Sequence, residues 1–366
     1  MEVIFDTPTP HHFLFRCFQV LEQSGYVELK ENEEWKVIPQ RFFINRKNIG
    51  MVIFNLTGGE DLRLAYSKID FPNLKIPNYG MKCKKSAYPT QTDYQQMSNR
   101  EVRIAGVIVL NENGTRKSVL INDHNVFLYN GPKLEIEDVF RILLENLNYS
   151  IDSIVDYELW FVDSNQPTIF GDKNGRFVNH VSTNSIISNI LLNSFIDTLE
   201  KQTHNSAISF LFGQNENIDS YHSIFIRTVV EKLMSKKSLG KMIFAIGIGH
   251  VFGCDCLNRD AWLSSTNKKT MIICTQQSVP CQLSHFLEQK TIDVGEKNGI
   301  RRNMASDEEQ TQLRSSIPDL IFDFPFSSIL LGLHVEGLPK INELLSLDDL
   351  EGIQQLVINY FTKCHL

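Results

Sequence analysis

An amide and a carboxylate follow the continuous apolar run SAISFLF, which covers residues 206–212. They are Asn215 and Glu216. The run is typical of a strand buried in a mostly parallel sheet. Ligand groups converge at the carboxyl ends of such strands, so the lone carboxylate of Glu216 is a candidate functional group. A polar loop that simply follows a strand is the alternative and the more ordinary interpretation.

A histidine and two cysteines form a second stretch with chemical potential, His250-x3-Cys254-x-Cys256. Zinc binds such side chains, but a structural zinc site needs a second close pair of ligands, and none follows nearby. Free thiols are therefore the ordinary interpretation. The glycines around His250 lack the spacing of a nucleotide-binding loop. The sequence contains no Gly-x-Ser-x-Gly, His-Glu-x-x-His or Walker pattern, so those catalytic classes have no support.

The composition limits the partners that the chain can have. Its 366 residues are 42% hydrophobic and 22% charged, with a formal net charge of -7, which is typical of one large folded domain or two ordinary ones. An acidic chain offers no broad basic surface, so we expect no nucleic-acid partner. No signal sequence or bilayer-length apolar segment is evident, so we expect a cytoplasmic protein with no membrane partner. Seven irregularly spaced cysteines indicate reduced thiols.

The predicted secondary structure that positions these residues differs between the first and second halves of the chain. A helix is predicted over residues 11–24, with His11 and His12 as a solvent-exposed pair at its start. Apolar alternation predicts strands at residues 35–39, 42–45 and 51–56, and a hairpin at 103–122. An amphipathic helix at 187–200, the strand at 206–212, a helix at 224–234 and a buried strand at 241–253 follow. This alternation predicts an α/β fold in the second half.

Several stretches occur in the order found in the aspartyl aminopeptidases, cytosolic metallopeptidases with two zinc ions that remove N-terminal acidic residues. FDTPTPHHF, GYVELKENEEW and RFFINRKNIGMVIFNL resemble the opening of that family, and MSNREVRIAGVIVLNENG and YELWFVDSNQPTIFG resemble later motifs. The matches extend over essentially the whole chain. The resemblance implies an α/β fold, with a mixed central sheet flanked by helices, formed by residues 1–78 and 176–366. It also implies an inserted smaller β-rich domain, residues 79–175, of the kind used for dimerisation in the family.

The same resemblance assigns the family's metal-binding positions, starting in the stretch RLAYSKIDFPNLKIPN at residues 63–78. The family motif His-Thr-Asp-Ser-Pro aligns there, so Lys68 replaces a ligand histidine and Asp70 keeps the orienting aspartate. An ammonium group has no lone pair for a metal at neutral pH. The bridging aspartate aligns with Asn184, a neutral amide that bridges two cations poorly.

The remaining positions show the same trend. The general-base glutamate aligns with Asn215, which cannot take a proton from water, whereas the ligand glutamate is retained as Glu216. An aspartate ligand aligns with Gly247, and the histidine of the same motif aligns with His250, a candidate binding residue. The final histidine ligand is retained as His334.

These assignments predict a degenerate site, in which no catalytic residue, bound metal or other cofactor is expected. We interpret the chain as a pseudopeptidase that acts as a scaffold, regulatory or binding subunit. Its expected partners are a second copy, an active aminopeptidase relative or peptide N-termini. One alternative is a diverged zinc metalloaminopeptidase with one metal held by Glu216 and His334. Another places the true ligands in unaligned stretches, at residues such as Asp219 or His222.

Overall fold

The chain divides into two compact units. In this computed structural model, Met1–Arg16 and Phe71–Pro167 form the smaller unit, and Cys17–Asp70 and Thr168–Leu366 form the larger unit. The structure describes residues 7–46, 49–59, 61–69, 74–75, 101–127, 140–141, 143–144, 149–164, 168–170, 176–179, 183–212, 218–236, 239, 243–252, 270–275, 301–304, 326–338 and 342–362. The domain boundaries near residues 79 and 175 stay a prediction.

The elements run in the following chain order. The strands are β1 (Val27–Glu28), β2 (Arg41–Arg46), β3 (Gly50–Asn55), β4 (Leu62–Ile69), β5 (Leu74–Lys75), β6 (Glu101–Glu112), β7 (Thr115–Phe127), β8 (Ile154–Asp163), β9 (Thr168–Phe170), β10 (Arg176–Asn179), β11 (Asn205–Phe212), β12 (Ile243–Phe252), β13 (Thr270–Thr275), β14 (Arg301–Met304), β15 (Phe326–Leu338) and β16 (Asn342–Ser346). The α-helices are α1 (Pro10–Gln23), α2 (Thr183–Asp197), α3 (Ile218–Ser235) and α4 (Leu347–Thr362).

The larger unit is built on one mixed sheet. Its strand order is β1-β2-β3-β11-β4-β12-β15-β16-β10-β9, with β13 beside β15 and β14 beside β13. The strands β11, β4, β12 and β15 are neighbours and pair in parallel, whereas β3 pairs antiparallel with β11. Every residue of β11 is buried, as expected for a strand covered on both faces. The predicted fold class, a mixed α/β sheet flanked by helices, is confirmed.

Helices cover both faces of this sheet. On one face, Tyr66 of β4 shares an apolar cluster with Phe225 and Val229 of α3. On the other, the hydroxyl of Ser67 lies 2.8 Å from that of Ser188 in α2. A helix was predicted near residues 187–200 and is present, but the prediction that it is amphipathic was wrong. Helix α2 is buried along most of its length, because it packs against both the sheet and α4.

A buried arginine ties the C-terminal helix to the sheet. Arg63 of β4 is fully buried, and its guanidinium donates a hydrogen bond of 2.9 Å to the carbonyl oxygen of Tyr360 in α4. The last carbonyls of a helix attract a cation, because they lack partners within the helix and the helix dipole is negative there. The hydroxyl of Tyr360 donates to the carbonyl oxygen of Phe244 in β12 at 2.7 Å. These bonds fix α4 to β4 and to β12.

The predicted strand at residues 35–39 was wrong, because the structure shows no strand there. Trp35 is buried, and its indole donates to the carbonyl oxygen of Lys30 at 2.8 Å. The ammonium of Lys232 in α3 lies 4.0 Å from the centre of the Trp35 ring and donates to the carbonyl oxygens of Glu31 and Glu33. Trp35 anchors a loop to α3, and this stretch does not extend the sheet.

The smaller unit contains a four-stranded antiparallel sheet in the order β5-β8-β6-β7. The predicted hairpin is confirmed as β6 and β7. Its turn residues Asn113 and Gly114 both have positive φ, as a two-residue primed turn requires. One face of the sheet packs against Phe140, Leu143 and Leu144.

The start of α1 lies in the smaller unit and contacts β8. The prediction that His11 and His12 are solvent-exposed was wrong. The imidazole of His11 lies 2.9 Å from a carboxylate oxygen of Glu158 and 5.8 Å from the ring of Trp160. The Nδ1 of His12 lies 2.8 Å from the hydroxyl of Thr9. Burial, helped by the charges of His11 and Arg103, lowers the pKa of His12 to about 4.

The membrane prediction has one structural counterpart. None of the helices in the described ranges combines the length and the apolar content that a bilayer crossing requires.

A single methyl group is predicted to disrupt the smaller unit. Gly106 of β6 has a φ of +145°, and an added Cβ would overlap the carbonyl oxygen of Glu158. We expect Gly106→Ala to lower the free energy of unfolding by about 3 kcal/mol or more, because both the backbone and β8 must shift. Gly114→Ala is the matched control, since it also has positive φ but nothing within 4 Å of the added atom, and it should cost about 1 kcal/mol. Urea unfolding of both variants tests this, and equal losses would contradict it.

Candidate functional site

The carboxyl ends of parallel strands define the candidate site in the larger unit. Strand β4 ends at Ile69, which pairs with Phe212 at the end of β11. On its other side, Tyr66 and Ser67 of β4 pair with Gly247 and Ile248 of β12. Three neighbouring strands therefore point their carboxyl ends the same way, which is where open α/β sheets collect ligand-binding groups.

Lys68 is the penultimate residue of β4. It is half-buried and pairs with Leu211 of β11 in the register of the sheet. It alternates with Ser67, so it lies on the face of β4 that also contains Tyr66. No carboxylate in the described ranges forms an ion pair with Lys68. The expected pairing with Asp70 or Glu216 concerns residues outside those ranges and stays a prediction.

Asn184 is the second residue of α2 and is fully buried. Ser188, one helical turn further along α2, is the residue whose hydroxyl lies 2.8 Å from Ser67 of β4. The backbone neighbour of Ser67 is Lys68. The contact between α2 and β4 therefore brings the first turn of α2 to the end of the sheet that contains Lys68.

Strands β12 and β15 contribute the three remaining positions on described strands. Gly247 pairs with Leu330, His250 with Leu333, and Val251 with His334. Gly247 and His334 are thus four register steps apart, or roughly 13 Å along the strands. Lys68 lies between these two levels, since Ser67 pairs with Ile248. The sheet therefore gathers Lys68, Gly247, His250 and His334 at one end.

The other predicted site residues cannot be placed. Asp70, Asn215 and Glu216 lie outside the described residues, and so do Cys254 and Cys256 of the cysteine stretch. Asp219 belongs to α3, but its side chain is not among those described.

Three of the placed residues do not suit a zinc pair. Zinc binds thiolate sulfur, imidazole nitrogen and carboxylate oxygen. Lys68 offers an ammonium, Asn184 a neutral amide and Gly247 no side chain at all. A centre with two divalent cations needs anionic ligands between and around them. None of these three residues supplies one.

The structure reveals a buried serine and histidine pair that the sequence analysis missed. The Nε2 of His222 in α3 lies 3.0 Å from the hydroxyl of Ser209 in β11, and both residues are fully buried. Burial lowers the pKa of His222 to about 3, so the imidazole is neutral. The alternative that makes His222 a metal ligand stays a prediction, because its Nε2 faces Ser209 whereas its Nδ1 has no hydrogen-bond partner among the described residues. The serine inside the apolar run at 206–212 was the available signal, since a buried hydroxyl needs a partner.

Part of this chain matches a known protein family. The profile of the family described as "Aminopeptidase I zinc metalloprotease (M18)" matches residues 3–136. A curated relative, "Probable M18 family aminopeptidase 2" from Borreliella burgdorferi, is 20% identical over 266 residues. The chain is therefore similar to the M18 aminopeptidases over these stretches. The alignment with that curated relative covers 62% of this chain and 62% of the relative's length.

Solved structures of M18 proteins share the fold. The chain matches the Saccharomyces cerevisiae mApe1 dodecamer with a TM-score of 0.68 and 14% identity, over 98% of this chain and 94% of that one. It matches the chain from "Cryo-EM structure of the Ape4 and Nbr1 complex" with a TM-score of 0.63 and 14% identity, over 97% and 83%. The resemblance inferred from the sequence is therefore confirmed, and these structures support it at the level of the fold.

Lys68 provides the first test of the site. Lys68→His introduces the histidine expected in the M18 motif, but we expect no peptidase activity, because Asn184 and Gly247 still provide no anionic ligand. Lys68→Met should lower the free energy of unfolding by about 1–3 kcal/mol, because a carboxylate partner would lose its counter-ion in a half-buried place. Lys36→Met, at an exposed position, is the matched control. Thermal melts compare these variants with the parent. A Lys68→Met variant that melts with the parent, as the control Lys36→Met should, would contradict this role for Lys68.

Proposed function

We propose that this chain is a catalytically inactive aminopeptidase-like protein, a pseudopeptidase that acts as a scaffold, regulatory or binding subunit. The observation that carries the proposal is Lys68. It lies at the end of a central parallel strand, and the sequence resemblance aligns it with a metal-binding histidine. A fixed positive charge there repels a cation, and the ammonium cannot coordinate one.

Together with Lys68, the other changes compensate for the positive charge of the lost metal ions. Loss of two divalent metal ions removes four positive charges from the centre. Asn184, Asn215 and Gly247 together remove three negative charges, and Lys68 adds one positive charge. A buried site cannot keep unpaired carboxylates without a large desolvation cost. A chain that lost its metals would therefore be expected to lose these acids as well.

Inactivity follows from the chemistry of peptide hydrolysis. Metal ions polarise the scissile carbonyl and lower the pKa of a bound water, so that hydroxide is available at neutral pH. A general base must then take the proton from that water. With Asn215 at the general-base position and no suitable ligand at Lys68, Asn184 or Gly247, neither requirement is met. We propose that no zinc or other cofactor is retained.

A diverged active metalloaminopeptidase that removes N-terminal acidic residues is the second candidate. Retention of Glu216 and His334 favours it, since a glutamate and a histidine are both zinc ligands. The zinc metalloprotease description of the matching family also favours it. Metal content separates this candidate from the pseudopeptidase.

The proposed partners are a second copy of the chain or an active aminopeptidase relative, with peptide N-termini as a further possibility. Two neighbours in fold support assembly, since one is a dodecamer and the other is part of a complex with a second protein. We keep cytoplasmic location and the absence of nucleic-acid and membrane partners as proposals from the sequence.

The metal prediction concerns the purified protein. Without chelator treatment it should contain well under one equivalent of zinc by elemental analysis. Added zinc or manganese should leave its melting temperature unchanged, because a ligand stabilises a protein only if it binds the folded state. Stoichiometric metal would contradict the pseudopeptidase. So would hydrolysis of an Asp- or Glu-anilide that is lost in the variant Glu216→Ala.

The assembly prediction concerns the smaller unit. Strand β7 is an edge strand of its sheet and pairs only with β6 among the described strands. Exposed strand edges invite pairing with another chain. We expect light scattering at micromolar concentration to give a mass well above the monomer mass of 42.1 kDa. A proline at Ser118, in the exposed part of β7, should reduce that mass. A monomeric parent would contradict the prediction.

A further inference from the structure

The pair formed by Ser209 and His222 joins helix α3 to two strands. His222 lies in the second turn of α3, and its Nε2 is 3.0 Å from the hydroxyl of Ser209 in β11. The same hydroxyl is 3.0 Å from the carbonyl oxygen of Met51 in β3. An added Cβ on Gly50 would lie 3.1 Å from the Cδ2 of His222. The imidazole is thus packed closely against the backbone of β3.

The hydrogen bonds assign the proton on the imidazole. A carbonyl oxygen only accepts, so Ser209 donates its single proton to Met51. His222 must then donate from Nε2 to Ser209, which leaves Nδ1 without a proton. Nδ1 is buried and has no hydrogen-bond partner among the described residues. A second proton on His222 would therefore create both a buried charge and a buried donor with no acceptor.

No described side chain of the elements packed around His222 forms an ion pair with its imidazole. Strands β3 and β11 contain no ionisable residue. On β2, Arg46 pairs with Gly50 in the register and is itself tied to Glu31. On β4, Lys68 lies on the same face as Tyr66, the register partner of Ser209.

Helix α3 carries its own ionisable residues. Asp219, Tyr221, Arg227, Glu231 and Lys232 belong to it. Arg227 and Glu231 pair with each other, and Lys232 binds Trp35 and the loop before it. Burial lowers the pKa of His222, and the side chains of Asp219 and Tyr221 are not among those described.

We propose that the contact between His222 and Ser209 is an acid-released latch, which holds α3 on the sheet while His222 is neutral and releases the helix when His222 takes up a proton. Only in the released state does water reach Nδ1 and solvate the imidazolium. Release of α3 would uncover the face of β3 and β11 on which the helix packs.

The sign of the pH effect follows from the two pKa values. His222 has a folded pKa of about 3, below the ordinary histidine value of 6.5. The latch is therefore fully stable above about pH 6.5 and weakens as the pH falls towards the folded pKa. At pH 5 the opening equilibrium constant of α3 should be roughly thirtyfold larger than at pH 7.5.

Amide hydrogen exchange on the full chain measures this opening. Labelling times are scaled to the intrinsic exchange rate at each pH between 7.5 and 5. We expect peptides from α3 to lose roughly thirtyfold in protection, while peptides from the centre of β12 and β15 keep theirs. Loss of protection to the same extent in all of these peptides, or no loss in α3, would overturn the proposal.

Three variants make the assignment to His222 specific. His222→Gln keeps a donor for Ser209 but cannot be charged, so the pH dependence in α3 should disappear. His12→Gln removes the other histidine with a strongly lowered pKa, in the smaller unit, and should behave like the parent. Ser209→Ala should lower the protection of α3 at pH 7.5 and keep the pH dependence, and it decides the question if His222→Gln does not fold. Parental pH dependence in His222→Gln, or parental protection in Ser209→Ala at pH 7.5, would overturn the latch.

Discussion

The parallel pairing of β4 with both β11 and β12 is the constraint on which the rest of the larger unit depends. Parallel strands cannot be joined by tight turns, so helices must cross over the faces of the sheet and bury it on both sides. The same pairing places the carboxyl ends of three strands at one end of the sheet. The buried β11, the hydroxyl contact between α2 and β4, and the position of Lys68 all follow from that arrangement.

The net charge that this end of the sheet can hold depends on its burial. A centre enclosed by two layers of helix and sheet has a low effective dielectric constant, so a net charge there is costly. Metal ions offset a group of carboxylates in an active enzyme, whereas a chain without metals needs few acids. We propose that this balance explains why an amide, a glycine and a lysine occupy positions where the M18 pattern has metal ligands. It also explains how such a chain keeps its fold.

Local patterns predicted the elements better than their surroundings. The hairpin of β6 and β7 and the strand β11 follow from alternation, turn residues and an apolar run, all of which are local. The burial of α2 on two sides depends on α4, over 150 residues later in the chain, which packs against it. His11 was expected in solvent, but Glu158, distant in sequence, contacts it. The candidate positions came from motif order, since no spacing rule would single out a lysine as a former ligand position.

The most direct test introduces metal-binding and general-base residue types at the four positions that the sequence resemblance assigns to them. The variant Lys68→His, Asn184→Asp, Asn215→Glu and Gly247→Asp is compared with the parent by calorimetric titration of zinc into chelator-treated protein. We expect the parent to bind no zinc and the fourfold variant to bind two equivalents. Two equivalents bound by the parent, or none bound by a folded fourfold variant, would contradict it.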